Sequence, residues 1–304
     1  MKKRLIGIVV VAAALAVVIG VFWGQRLQAN DAQRKSKEKE VQEDAPIGSG
    51  DSHAFPATRA RELEMEKKIP PGSYKALGPK AYEIIRGREF RPPGDALAHV
   101  KQLIQRSESG DATATYEIYL TIDQCRTFTS DRADELADSA SSLGSGGWFL
   151  ERSERLLKEC ESLVLDQKIY QADWLSKAAA MGSQEAMLAY SVSPQEVIGS
   201  LDDVIHDPEK LAQWKENSSR YLNEMASQGN IAALGSLKRA YTYGRTRDRD
   251  PVAATAYTRV LSRINPRLYT NDDVIKAESD LSSRERADAL ALSEEIFRNC
   301  CVPR

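Results

Sequence analysis

Leu222-Asn223-Glu224-Met225-Ala226-Ser227-Gln228-Gly229-Asn230-Ile231-Ala232-Ala233-Leu234 decides the fold of this chain. Leu222 and Ala226 stand one helical turn apart and lead to Gly229. Glycine tolerates the left-handed backbone that ends a helix, and Asn230 is a preferred N-cap. One helix therefore closes at Gly229 and another opens at once, with Ala233 on its first inward turn.

The same punctuation occurs twice more. Leu175, Ala179, Gly182, Ser183 and Ala186 repeat it, and so do Leu103, Ser107, Gly110, Asp111 and Ala114. Four residues past each alanine an apolar residue follows, Ile118, Tyr190 or Leu237, on the same face of the opening helix. Small residues at the hinge let the two helix axes approach closely. A larger side chain at Ala186 or Ala233 is expected to cost about 1–3 kcal/mol by overpacking. Repeated helix–turn–helix units of this kind stack into α-solenoids, which mostly bind other macromolecules.

Outward from the motif the chain reads as nearly continuous helix. Segments 112–125, 148–163, 166–181, 208–228, 231–243 and 251–264 carry apolar residues at helical spacing, and Ser193-Pro194 and Asp207-Pro208 supply a cap followed by proline at the first helical position. Residues 56–68 and 73–85 are predicted as two further helices, interrupted by Pro70-Pro71-Gly72 and closed off by Pro92-Pro93-Gly94. No strand is expected, since no run alternates with period two beside a hairpin signal.

The N-terminus differs in kind. Lys2, Lys3 and Arg4 precede an uncharged, mostly apolar run from Leu5 to Trp23. Nineteen residues at about 1.5 Å each match a hydrocarbon core of about 30 Å. The nearest small-x-small cleavage site, Leu27-Gln28-Ala29, has a poor first residue, which favours an uncleaved anchor over a cleaved signal peptide. Basic residues before the run place the remaining chain on the exported side, in the periplasm of a bacterial inner membrane; after cleavage the chain would instead be secreted to the periplasm. The reading divides the chain into an anchor at 1–28, a polar tether at 29–55, an N-terminal helical cap at 56–94 and a repeat domain at 95–304.

Four cysteines bear on compartment. In an oxidising compartment Cys125 and Cys160 are expected to bridge neighbouring helices, with Cys300 and Cys301 separate or intermolecular because bonding adjacent cysteines closes a tight ring. The alternative is four reduced thiols, two of them buried as small hydrophobes. No Cys-x2-Cys pair or Cys/His cluster suggests a metal site.

Other chemistries lack their signatures. The net charge of −2 gives no global attraction to nucleic acid. His53, His99 and His206 stand apart from any ligand or nucleophile pattern, and no His-Glu-x2-His, Gly-x-Ser-x-Gly or phosphate-binding glycine loop is present. No catalytic residue and no cofactor are implied. The run Arg245-Thr246-Arg247-Asp248-Arg249-Asp250 reads either as a self-compensating turn or as a grip for an acidic partner.

Two stretches carry a family resemblance. Residues 174–186, Trp-Leu-Ser-Lys-Ala-Ala-Ala-Met-Gly-Ser-Gln-Glu-Ala, and 226–234 resemble Sel1-like repeats, the second continuing through Tyr241, Gly244, Asp250, Ala254 and Tyr257. Gly110 to Tyr119 is a looser match. The glycines are spaced by 72 and then 47 positions, which makes the array irregular against a usual family repeat of about 36. The resemblance implies an all-α solenoid of helical hairpins akin to tetratricopeptide repeats, in which the motif residues are structural. The expected function is a membrane-tethered periplasmic scaffold for a protein or peptide partner, not an enzyme, with Tyr116, Tyr190, Lys238 and Tyr241 as candidate groove positions. The alternative is a carboxylate-based envelope enzyme, for example one acting on peptidoglycan, built on an α-superhelix.

Overall fold

A computed structural model describes residues 58–85, 91–129, 133–142 and 144–302, all within one unit spanning Ala54–Arg304. The anchor and the tether expected at 1–55 lie outside the described residues. Among those described, no helix is long and apolar enough to cross a membrane.

The unit is mostly α-helical. After α1 (Thr58–Met65) and a β-hairpin, helices α2 (Ala96–Glu108) and α3 (Ala112–Thr129) form the first antiparallel pair. They are followed by α4 (Ala133–Ser142), α5 (Gly146–Leu165), α6 (Gln167–Tyr170), α7 (Trp174–Ala180) and α8 (Gln184–Val192). Short α9 (Pro194–Ile198) and α10 (Leu201–His206) lead to α11 (Pro208–Ser227), α12 (Ile231–Tyr243), α13 (Pro251–Ile264), α14 (Asn271–Glu278) and α15 (Ser283–Cys301). Packing is largely sequential: α3 lies on α7, α7 on α8, α8 on α11, α11 on α12, α12 on α13 and α13 on α15.

Three turns at Gly110, Gly182 and Gly229 share one geometry, with φ of 90°, 90° and 92°. At each, the glycine N–H donates to the carbonyl three residues back, and the next N–H to the carbonyl five back: Asp111 to Arg106, Ser183 to Ala178, Asn230 to Met225, at 3.0–3.1 Å. This is the paired-bond helix ending that needs a left-handed residue. The residue after each glycine then caps the following helix. Asp111 accepts from Ala114 N at 2.9 Å, Ser183 from Ala186 N at 3.4 Å, and Asn230 from Ala232 N and Ala233 N. The inward alanines Ala114, Ala186 and Ala233 are fully buried, and Leu103, Leu175 and Leu222 with their partners Ala179 and Ala226 are buried.

Two expectations give way to the structure. Residues 73–85 form an antiparallel hairpin, β1 (Tyr74–Ala76) with β2 (Tyr82–Ile84), in the register Tyr74↔Ile84, Lys75↔Glu83 and Ala76↔Tyr82. Gly78-Pro79 explains the difference: proline lacks the amide a helix needs and drives the preceding residue out of the α region. The single helix expected at 166–181 is split at Gln171-Ala172-Asp173, where Asp173 caps α7 by accepting from Ser176 N at 3.0 Å.

The hairpin and the residues before it run along the three glycine turns. Lys67 O accepts from Thr113 N, Lys68 O from Gln184 N, and Tyr82 N donates to Gly229 O, at 2.9–3.1 Å. Thr113 and Gln184 sit in the first turns of α3 and α8, whose amides have no intrahelical acceptor, so this strap satisfies donors that burial would otherwise orphan. Tyr82 is fully buried and its hydroxyl donates to Gln184 Oε1 at 2.9 Å, while Gln184 Nε2 donates to Gln228 Oε1.

Apolar packing follows the same plan. Ala60, Leu63, Ile69 and Tyr82 form a small cluster under the strap. A second cluster joins α2, α3, α5 and α7 through Val100, Ile118, Ile122, Leu163 and Trp174. Cys125 and Cys160 lie inside it, bonded at 2.04 Å across a separation of 35 residues. The largest cluster runs from α7 to α15 and includes Met187, Trp214, Leu234, Leu237 and Leu261. Cys300 and Cys301, expected apart, are bonded to each other and buried in this cluster. Two disulfides fit an oxidising compartment.

Candidate functional site

Helix α12 carries a concavity on its outward face. Its position after Gly229 aims Ala233, Leu234 and Leu237 into the core, which leaves Ala232, Ser236 and Arg239 along the other face. Two hollows of about 240 Å³ and about 280 Å³ lie over that face and meet at Val192, Ser236 and Arg239. Together they form a trough.

On one side the trough is floored by Trp214, Leu222 and Ala240 and edged by Arg245 and Thr246. Trp214 is held in place by its Nε1–H, which donates to Tyr190 O at 2.8 Å. On the other side it is bounded by Ile231, Gly235, Leu268, Tyr269 and Glu83 of β2. A Cβ on Gly235 would stand 3.2 Å from the Tyr269 hydroxyl, so the missing side chain lets that ring approach α12. Two apolar residues at the rim are open to solvent, Val192 at 43% and Leu268 at 64%.

Two guanidinium groups line the first hollow. Arg239 donates to Ser236 Oγ at 3.1 Å, and among the described residues no carboxylate pairs with Arg239 or Arg245. The Thr246 hydroxyl beside them is buried without a hydrogen-bond partner. Arg245 belongs to the run 245–250, within which no contact ion pair forms among the described residues. Instead Arg247 donates to the Tyr241 hydroxyl and to Ser219 Oγ, and Asp250 caps α13 by accepting from Ala253 N at 2.9 Å. Arg245 is left facing the trough.

The four groove positions read from sequence fall elsewhere. Tyr116 is buried in α3 and stacked on Tyr119 with ring centroids 5.6 Å apart. Tyr190 meets the Tyr221 ring edge-on at 5.4 Å. Lys238 places its ammonium 5.5 Å from the Tyr269 ring centroid. Tyr241 stacks on Tyr257 at 5.8 Å and borders a separate open basin with Arg247 and Glu285. All four pack helices together, and none lines the trough. The residues that do include Val192, Arg239 and Leu268, and their only sequence signal was weak: the Lys238-Arg239 pair is the sole charged stretch of its helix.

Titratable groups point to one other place. Asp123, in α3, is pushed above the usual carboxylate range by burial and by the charge of Glu196, against the pull of Arg126. Burial raises the neighbouring Tyr119 phenol as well. Neither Asp123 nor Glu196 lines the trough. His99 is half-buried and held below its ordinary value by burial, and His206 is exposed, bonded to Asp202 O at 2.7 Å. Among the described residues no three His, Cys, Asp or Glu side chains converge as metal ligands would.

Comparison with known protein families, with curated proteins and with solved structures finds no match to this chain.

Proposed function

We propose that this chain is a membrane-tethered periplasmic scaffold of Sel1-like helical repeats, and that the trough over α12 receives a protein partner without catalysis. The observation that carries this reading is an apolar-floored concavity whose rim residues Val192 and Leu268 are left open to solvent. Concave faces of stacked helical hairpins are the surfaces such arrays use for binding. Three glycine turns of one geometry support the repeat reading, and two disulfides beside a basic-then-apolar N-terminus support an exported domain.

Photo-crosslinking in the native envelope tests it. A benzophenone side chain at Val192 or Leu268 of the full-length chain is expected to capture a discrete protein. The same group at Leu165, which is 75% exposed on α5, is expected to capture none. Equal labelling from all three positions, or from none, overturns the reading.

The competing reading, a carboxylate-based envelope enzyme, would rest on Asp123 beside Glu196. A structural Asp123 has a separate signature. Its folded pKa lies above the unfolded value of about 3.9, so the folded state loses stability as pH rises through the window between the two. Asp123→Asn is therefore expected to raise the urea midpoint at pH 7 and to leave it unchanged below about pH 3, where the native carboxyl is protonated in both states.

A further inference from the structure

We infer that the trough's occupant is an extended protein segment in which an apolar side chain is followed closely by carboxylates. This rests on the scaffold reading above and adds the chemistry of the partner. The first hollow offers two adjoining surfaces of opposite character. Trp214, Leu222 and Ala240 make an apolar floor large enough for one aliphatic or aromatic side chain, at about 240 Å³. Arg239 and Arg245 border that floor, and among the described residues neither has a carboxylate partner.

Five described arginines, Arg59, Arg91, Arg106, Arg259 and Arg263, each pair with a glutamate or aspartate, whereas Arg239 and Arg245 do not. Two unpaired guanidiniums in one hollow, with the hydroxyls of Ser236 and Thr246 beside them, match the planar, bidentate geometry of carboxylates. Glu83 at the far end of the trough sets a direction. A carboxylate bound there would meet like charge, so the acidic residues belong at the Arg239–Arg245 end and the apolar remainder of the segment runs past Val192 toward Leu268.

Fluorescence polarisation with the full-length chain in mild detergent tests the chemistry. The probes are three labelled twelve-residue peptides that share one apolar half and differ only in the other, built of Glu-Asp, Ser-Asn or Lys-Arg repeats. The acidic peptide is expected to bind at least about tenfold more tightly than the neutral one, with an affinity that falls as sodium chloride is raised. Arg239→Glu with Arg245→Glu is expected to abolish that preference and transfer it to the basic peptide, whereas Arg239→Lys with Arg245→Lys, which keeps the charge but loses the bidentate fork, retains it in weakened form. Circular dichroism of the variants identifies any that fail to fold, and the lysine pair keeps the test standing if the glutamate pair does. Acidic and neutral peptides binding equally, or a preference that survives charge reversal, overturns the inference.

The crosslinking experiment separates this failure from that of the scaffold reading. Capture at Leu268 that persists unchanged in Arg239→Glu/Arg245→Glu leaves the scaffold standing and removes the acidic occupant. Absence of capture in the wild-type chain removes the trough as a docking site.

Discussion

Gly229→Ala is expected to cost about 2–5 kcal/mol of stability, among the largest effects of any single methyl added to this chain. Two penalties add at this position. With φ at 92°, an alanine is forced into left-handed backbone, worth about 1–2 kcal/mol. A Cβ there would also stand 2.5 Å from Lys80 O and 2.9 Å from Cys300 O. Both are backbone atoms, one in the loop before β2 and one at the end of α15, and neither can swing aside as a side chain could. Gly110 is the internal control: its φ of 90° is nearly the same, but nothing lies within 4 Å of an added Cβ. Gly110→Ala should therefore show the backbone term alone, about 1–2 kcal/mol. Urea denaturation of the two variants side by side checks the difference. Equal shifts in midpoint would show that the close approach of Lys80 and Cys300 carries no weight.

Removing the Cys125–Cys160 bridge is the second large effect. The bond closes a loop of 35 residues that contains α4 and most of α5. Constraining a loop of that length in the unfolded chain is worth about 3–4 kcal/mol in the chain-entropy account. Cys125→Ala with Cys160→Ala is expected to lose about that much, measured by denaturation under oxidising conditions. Dithiothreitol should bring the wild-type midpoint close to that of the double variant, because the other bridge joins adjacent residues and closes almost no loop. A double variant as stable as the wild type would show that α5 is held against α3 by other contacts. One such contact is Arg91, which donates to Glu159 Oε2 at 2.6 Å and to Gln124 Oε1 at 3.1 Å.

The helix boundaries were legible where a residue has only one good conformational use. Glycine followed by Asp, Ser or Asn marks the three turns, and Pro251 after Asp250 marks the start of α13. The strands were illegible for the opposite reason. Three residues such as Tyr74–Ala76 are too short to display a period of two, and their pairing is stabilised by Gly229 and Asn230, about 150 positions away. The break before Asp173 had a local signal, an aspartate three residues before Ser176, but the apolar spacing across it continued without interruption. As for the site, aromatic residues on the opening helices draw attention in sequence because they are large. Tyr116, Tyr190 and Tyr241 fill space between helices, whereas the trough is assembled from residues of α8, α11 and α12 and of the segments after α12 and α13, which only the fold brings together. Whether an arginine has a partner is a property of the folded arrangement, so Arg239 and Arg245 look in sequence like any other surface cations.

The strap that links Lys67, Lys68 and Tyr82 to the turns at Thr113, Gln184 and Gly229 has a consequence for how this chain can vary. A free stack of helical hairpins can gain or lose a unit, since each touches only its neighbours. Here one covalent segment spans several units at fixed intervals and so works as a ruler. Inserting or deleting a hairpin between Gly110 and Gly229 would move the later turns away from their marks on it while the early ones stayed in place. Length is thereby written into the molecule twice, once in the array and once in the strap, and the two records must change together.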